Sequence, residues 1–443
     1  MKTLKLSLAA IPLALGFGQA AQAVLNAVDP GPYLAANGNF PAWYQDTHGL
    51  GLDLCLSGAN IGAGAVPGGV GGPACTLLAN PGIFDPALAI DFPTNFPDES
   101  FYFMGDAAFT VGGVDVTYVS NLEAAFANGV PEADQQIVFA RIRIRITLPT
   151  TAPGGNYTVT HPYGVEVFSV AEGGGIKVIN ETRDIGVAPG LFDGALSGDI
   201  GPFLRDASLA PGVFIPSDVA GEAYIGDPNT PRPVTGSPFG TNFVRVDGPP
   251  GFSSVESNLF NVMGKVHAGA LATPLVIERT SYGTSATTGA QQDVFVQAPP
   301  SDAAAVTATD ANGAAVPMTD NDTDGAWYGQ TASDPSGIPA PTVSITSSDT
   351  VGANTPTTET NPLVDLVTIS RAEYDAGTLT VEAASSDEVS PPALTVDGTN
   401  LTATGVGVLQ SATISGLTIP PATVTVTSAN GGSDTEEVVV VNP

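Results

Sequence analysis

The sequence predicts an all-β protein: a large N-terminal β-sandwich region followed by two tandem Ig-like β-sandwich modules. Three observations carry this. Helical periodicity is nearly absent. Short Val/Ile/Thr/Phe runs such as FTVGGVDVTYV, NYTVTHPYGVEVFSV and TVTVTSANGG are divided by clusters of Gly, Pro, Asn and Asp, the pattern of many short strands joined by turns. An internal repeat of about one sandwich module closes the chain.

The elements follow in chain order. Residues 1–23 read as a secretory signal: Lys2 and Lys5 form a charged start, an apolar run follows, and Ala21-Gln22-Ala23 is a small-x-small cleavage site. No later stretch approaches the roughly 20 apolar residues of a membrane helix. An exported, soluble protein without a membrane span is therefore expected, secreted or at the cell surface. Cys55 and Cys75 then meet an oxidising compartment, where a disulfide is the default. Closing a loop of about 20 residues contributes roughly 3 kcal/mol on the chain-entropy model.

Residues 24–270 form the N-terminal region, with both cysteines and all three histidines, His48, His161 and His267. Within it, NLEAAFANG (121–129) has an Asn start and a Gly stop and is the plausible short helix. ARIRIRITLP (140–149) alternates cleanly. Val138, Ala140, Ile142, Ile144, Ile146 and Leu148 share one strand face; Arg141, Arg143 and Arg145 share the other with Ile137, Phe139 and Thr147. Successive arginines on that face lie roughly 7 Å apart. The chain has 13 Lys+Arg against 44 Asp+Glu, so three cations on five residues call for a reason. Cross-strand ion pairing is the bland one, with Glu166 on the next hairpin as an available carboxylate. Docking of an acidic patch from another subunit is the sharper one, because head-to-tail contact between unlike patches builds filaments or lattices.

The repeat begins at IERTSY (277–282) and again at ISRAEY (369–374), both Ile-x-Arg-x-x-Tyr. Alternating strands follow, DVFVQA and TLTVEA. The copies end in IPAPTVSITS and IPPATVTVTS. Modules are expected at 271–349 and 363–443, with 350–362, rich in Thr, Pro and Asn, as a linker. Inside the first module, DNDTDG (320–325) has the D-x-D-x-D-G spacing of a calcium loop, which makes Asp320, Asp322 and Asp324 candidate metal ligands. Thr331 stands where an EF-hand needs its bidentate Glu, so a complete EF-hand is excluded; a solvated hairpin tip is at least as good a reading, any Ca2+ binding would be weak, and no other cofactor is expected.

The words FPAWYQDTHGLGLDLC, FPTNFPDESFYF, YTVTHPYGVEVF, GPFLR and GSPFGTNFVRV resemble those of uncharacterised exported bacterial β-rich proteins carrying Ig-like domains. The two C-terminal modules resemble bacterial surface Ig-like modules. The resemblance implies export and a sheet-built fold, and it carries no activity with it.

A formal charge of −31 repels nucleic acid and anionic lipid and favours cations or basic partners. No G-x-S-x-G, H-E-x-x-H, P-loop or strand-linked G-x-G-x-x-G occurs. Asp98-Glu99 with Trp43 and Tyr44 could make a sugar patch, but an aromatic core beside a solvated acidic turn is the preferred reading. The pattern points to a non-enzymatic surface or extracellular-matrix protein acting by protein or glycan contact, with homo-oligomeric self-assembly as one form. The alternative is a carbohydrate-binding or carbohydrate-active protein with Ig-like spacers. With no sorting motif after EEVVVVNP, surface attachment is expected to be non-covalent or through a partner.

Overall fold

The computed structural model describes residues 25–320, 324–331 and 339–442. Strands dominate, and two 3-10 turns, Ala35–Asn37 and Phe192–Ser197, are the helical pieces among the described residues. The expected signal, 1–23, lies outside them.

The N-terminal domain is built on a six-stranded front sheet of short strands, a seven-stranded main sheet and a four-stranded facing sheet. The front sheet carries β1 (Leu25–Val28), β2 (Trp43–Asp46) and β3 (Gly51–Asp53). The main sheet is led by three 13-residue strands, β4 (Glu99–Val111), β5 (Val114–Phe126) and β6 (Gln136–Leu148). The hairpin β7 (Gly155–His161) and β8 (Gly164–Val170) belongs to the facing sheet. Next, β9 (Gly175–Ile185) returns to pair with β6, and β10 (Leu259–Met263) pairs with β4 on the far side. The inward residues of β6, Val138 to Leu148 at alternate positions, are buried with Val116 and Tyr118 of β5. They share one core with Tyr157 and Val159 of the facing sheet. Period-two burial on β6 matches the period-two sequence, as a sheet with one wetter face demands.

The stretch 121–129 is not helical. Asn121 to Phe126 continue β5, paired with β4 on one side and β6 on the other. Ladder bonds on both flanks outweigh the few tenths of a kcal/mol per residue that alanine offers a helix. Cys55 and Cys75 are bonded, their Cα atoms 5.4 Å apart, in a satellite core with Ile61, Tyr224 and Met263.

Each C-terminal module is a two-sheet sandwich with its own core. The first is built around β11 (Val276–Ser285), β12 (Gly289–Gln297) and β13 (Thr342–Asp349). Its sheets are completed by β14 (Thr357–Pro362), antiparallel to β13, and β15 (Val364–Asp365), parallel to β11. The second repeats the scheme: its first strand β16 (Val367–Asp375) pairs in parallel with its last, β17 (Val439–Asn442). The 350–362 stretch therefore includes an edge strand of the first module rather than forming a free linker. Threonine is a good strand former, and proline is tolerated at the strand's end on an edge. Only Leu366 separates β15 from β16.

Candidate docking face and interdomain cleft

The outward face of β6 carries the three arginines, and the fold treats them differently. Arg141 is half-buried between two carboxylates. Its Nε and Nη2 donate to Asp184 of β9 (2.7 and 2.9 Å), and its Nη1 donates to Glu123 of β5 at 3.0 Å. Its guanidinium also lies 4.9 Å over the Phe139 ring. Glu123 is only 2% exposed, and burial pushes its carboxyl up to about 7, with Arg141 pulling the other way. Arg143 and Arg145 form no ion pair with a carboxylate among the described residues. Their Nε atoms donate to Thr182 Oγ1 (3.3 Å) and Asn180 Oδ1 (3.2 Å). Partial burial and the flanking arginines hold Arg143 below the ordinary guanidinium range. Glu166, the carboxylate expected from the hairpin, is spent elsewhere: it accepts from Arg183 at 3.0 Å.

Removing Lys2 and Lys5 leaves eleven basic side chains. Six pair with carboxylates: Arg141, Arg183, Arg232, Arg245, Lys265 and Arg371. Five do not among the described residues: Arg143, Arg145, Lys177, Arg205 and Arg279, the last stacked 4.2 Å over Phe295. Two of these five, Arg143 and Arg145, share one strand face, and the main chain at Lys177 comes close to it. The Lys177 amide donates to Thr147 Oγ1 (3.0 Å), and Thr147 stands two residues beyond Arg145 on the same strand face.

Beside them, a groove of about 340 Å³ is lined by Met104, Asp106, Val119, Pro228, Asn261 and Met263. Val119 is in register with Arg143, so groove and arginines are contiguous. Burial raises the Asp106 carboxyl to about 7, opposed by the Arg143 charge. The Asn121 amide donates to it at 2.9 Å.

The candidate calcium loop is used structurally where it is described. Asp320 accepts from the Ser301 amide (2.7 Å) and the Gly325 amide (3.1 Å), and Asp324 accepts from the Ala326 amide (2.9 Å). Asp322 lies outside the described residues. No cluster of three or more His, Cys, Asp or Glu side chains suited to a metal occurs among the described residues.

The histidines separate into two settings. His161 is fully buried at its hairpin turn, where Tyr118 Oη lies 3.1 Å from Nδ1 and the Tyr163 amide donates to the same nitrogen at 3.3 Å. His48 and His267, far apart in sequence, line one cleft of about 590 Å³ between the N-terminal domain and the first module. The domains are tied at its floor: Asn354 Nδ2 donates to Gly49 O (2.8 Å), and Gln45 Nε2 donates to Ala272 O (3.0 Å). A Cβ on Gly49 would meet Asn354 at 3.1 Å and Pro274 at 3.3 Å, and its φ of +86° also favours glycine. Asp46, 1% exposed, accepts from the His48, Leu50 and Phe203 amides, and burial still lifts it to about 7. Burial and Arg205 lower the His48 imidazole to about 4, while Asp320 of the module raises it. His267 Nδ1 lies 2.6 Å from Asp53 Oδ1.

No family model matches the chain, and no curated protein matches it. Among solved structures it is similar to a Ca2+-stabilized adhesin that helps an Antarctic bacterium bind ice, at 13% identity over 77% of this chain and 91% of that one, with a TM-score of 0.18. It is also similar to a tetra-tandem repeat from the extending region of a large adhesion protein, at 16% identity over 68% and 69%, TM-score 0.16. Titin Ig tandem domains match at 10% identity over 38% of this chain and 97% of theirs, TM-score 0.14. At TM-scores this low the likenesses carry no argument about architecture, ligand or partner.

The sequence singled out the arginine strand but not its division into one paired and two unpaired members. Nor did it find Arg205, whose signal was no more than the word GPFLR. The sugar patch does not form as a unit: Tyr44 is buried, donating from its hydroxyl to Phe192 O at 2.8 Å, and Asp98 accepts from Asn80 Nδ2 at 2.8 Å.

Proposed function

We propose that this is an exported surface or matrix protein that works by contact, and that the outward face of β6 is its docking site for an acidic partner, another copy of the chain first among them. The observation that carries this is the pair Arg143 and Arg145. They keep donors free on a sheet face while their neighbour Arg141 is fully engaged by carboxylates. In a chain with 44 acidic residues, leaving two adjacent cations unpaired costs self-repulsion in isolation. An acidic edge laid on the face removes that repulsion. The adjoining groove, with its two methionines, offers adaptable apolar contact for the same partner.

Docking of unlike patches is heterologous and so propagates into a filament or lattice. The double charge reversal Arg143→Glu with Arg145→Glu is expected to abolish fibres or rings seen by negative-stain microscopy. The thermal midpoint should stay within a few degrees of the parent. A doubly reversed protein that assembles like the parent excludes the reading.

A further inference from the structure

The cleft between the N-terminal domain and the first module has no part in the docking face, and it holds charged and polar side chains with few or no side-chain partners among the described residues. On the N-terminal wall, Arg205 makes one hydrogen bond, from Nη1 to Leu209 O at 3.2 Å, and has no carboxylate partner among the described residues. The His48 imidazole hydrogen-bonds to no described residue. On the module wall, the Asp302 carboxylate likewise has no hydrogen bond or ion pair among them.

The other charged groups at the cleft are accounted for. Asp46 is saturated by main-chain amides. Asp349 accepts from the Val351, Gly352 and Asn354 amides. His267 is held by Asp53, and Asp320 and Asp324 cap their own turns. What remains is a cation with a neutral imidazole on one wall and a free carboxylate on the other. His48 lines the cleft together with Arg205 and Asp302.

This distribution selects among ligands. A dianion would gain Arg205 but meet the acidic module wall, and a simple cation would gain that wall but leave Arg205 without a partner. An uncharged sugar would leave both charges unpaired, and desolvated unpaired charges are costly. A ligand carrying one charge of each sign satisfies both walls. The cleft volume of about 590 Å³ falls in the range of small-molecule sites.

We propose that this cleft binds a small zwitterion of the amino-acid or short-peptide class, its carboxylate on the Arg205 guanidinium and its ammonium on the Asp302 carboxylate. His48 then supplies an uncharged ring nitrogen for a hydrogen bond between the two ends. Because the ligand spans both domains, its binding also stabilises their joint.

Isothermal titration of the intact exported chain with glycylglycine, L-glutamine and L-lysine tests this, with acetate, ethylamine and maltose at equal concentration as controls. Saturable binding is expected for at least one zwitterion and for none of the controls. Arg205→Gln and Asp302→Asn, on opposite walls, should each weaken it at least tenfold. Asp302 is exposed, so its variant keeps the test alive if Arg205→Gln misfolds. The proposal is overturned if no zwitterion binds saturably, if a control binds as well, or if the folded variants bind like the parent.

Discussion

The two ends of the arginine face differ in what surrounds the same side chain. At one end Arg141 sits over Phe139 with Glu123 and Asp184 on either side, and Glu123 is almost wholly buried. At the other, Arg143 and Arg145 hydrogen-bond to the neutral Thr182 and Asn180 and form no ion pair among the described residues. Spacing on the strand is the same throughout. The difference comes from adjacent strands: register places Asp184 opposite Arg141, but Thr182 and Asn180 opposite Arg143 and Arg145. One end is therefore part of the fold, and the other is free to act on something else.

The largest expected effect follows from breaking the first end. Arg141→Ala leaves the Glu123 carboxylate buried without its cation and should cost about 3 kcal/mol, measured by denaturant unfolding. If it cost no more than Arg143→Ala, the distinction between the ends would collapse. The same variant should change the pH dependence. Glu123 is raised from 4.5 to about 7 in the folded protein, so its contribution is fully present below pH about 4.5 and is lost as pH rises through about 7. Without Arg141 that loss deepens. The stability gap between parent and variant should therefore open as pH rises above about 7, where only the parent's folded Glu123 ionises readily, and a pH-independent gap would count against the ion-pair account.

Asp184→Asn breaks the more exposed half of the same cluster. It should cost roughly 1 kcal/mol, since Glu123 still compensates Arg141. The smallest change is expected at the other end. Arg143→Ala and Arg145→Ala should each alter stability by less than about 0.5 kcal/mol. A loss of several kcal/mol there would mean that these arginines hold the fold together and are not reserved for a partner.

Much of this architecture was legible in the residues. The alternation from Val138 to Leu148 gave both faces of β6, and the Ile-x-Arg-x-x-Tyr repeat gave the two modules. Readings that depended on local composition failed where tertiary pairing decided: 121–129 became strand because β4 and β6 flank it, and 357–362 became strand because β13 offers an edge. The pairing of Arg141 was hidden because Glu123 and Asp184 come from strands 18 and 43 residues away. The cleft was hidden for the same reason. Its walls gather residues near 48, 205, 267 and 302, and no pattern in the sequence brings those positions together.

We propose that Arg143 and Arg145 receive an acidic partner. Sedimentation velocity across a concentration series, at low and high sodium chloride, tests it most directly. The parent should self-associate at low salt and dissociate as screening shortens the reach of exposed charges, while the Arg143→Glu, Arg145→Glu protein should stay monomeric throughout. Association of equal strength in both proteins, or a parent that is monomeric at every concentration and salt, would contradict it.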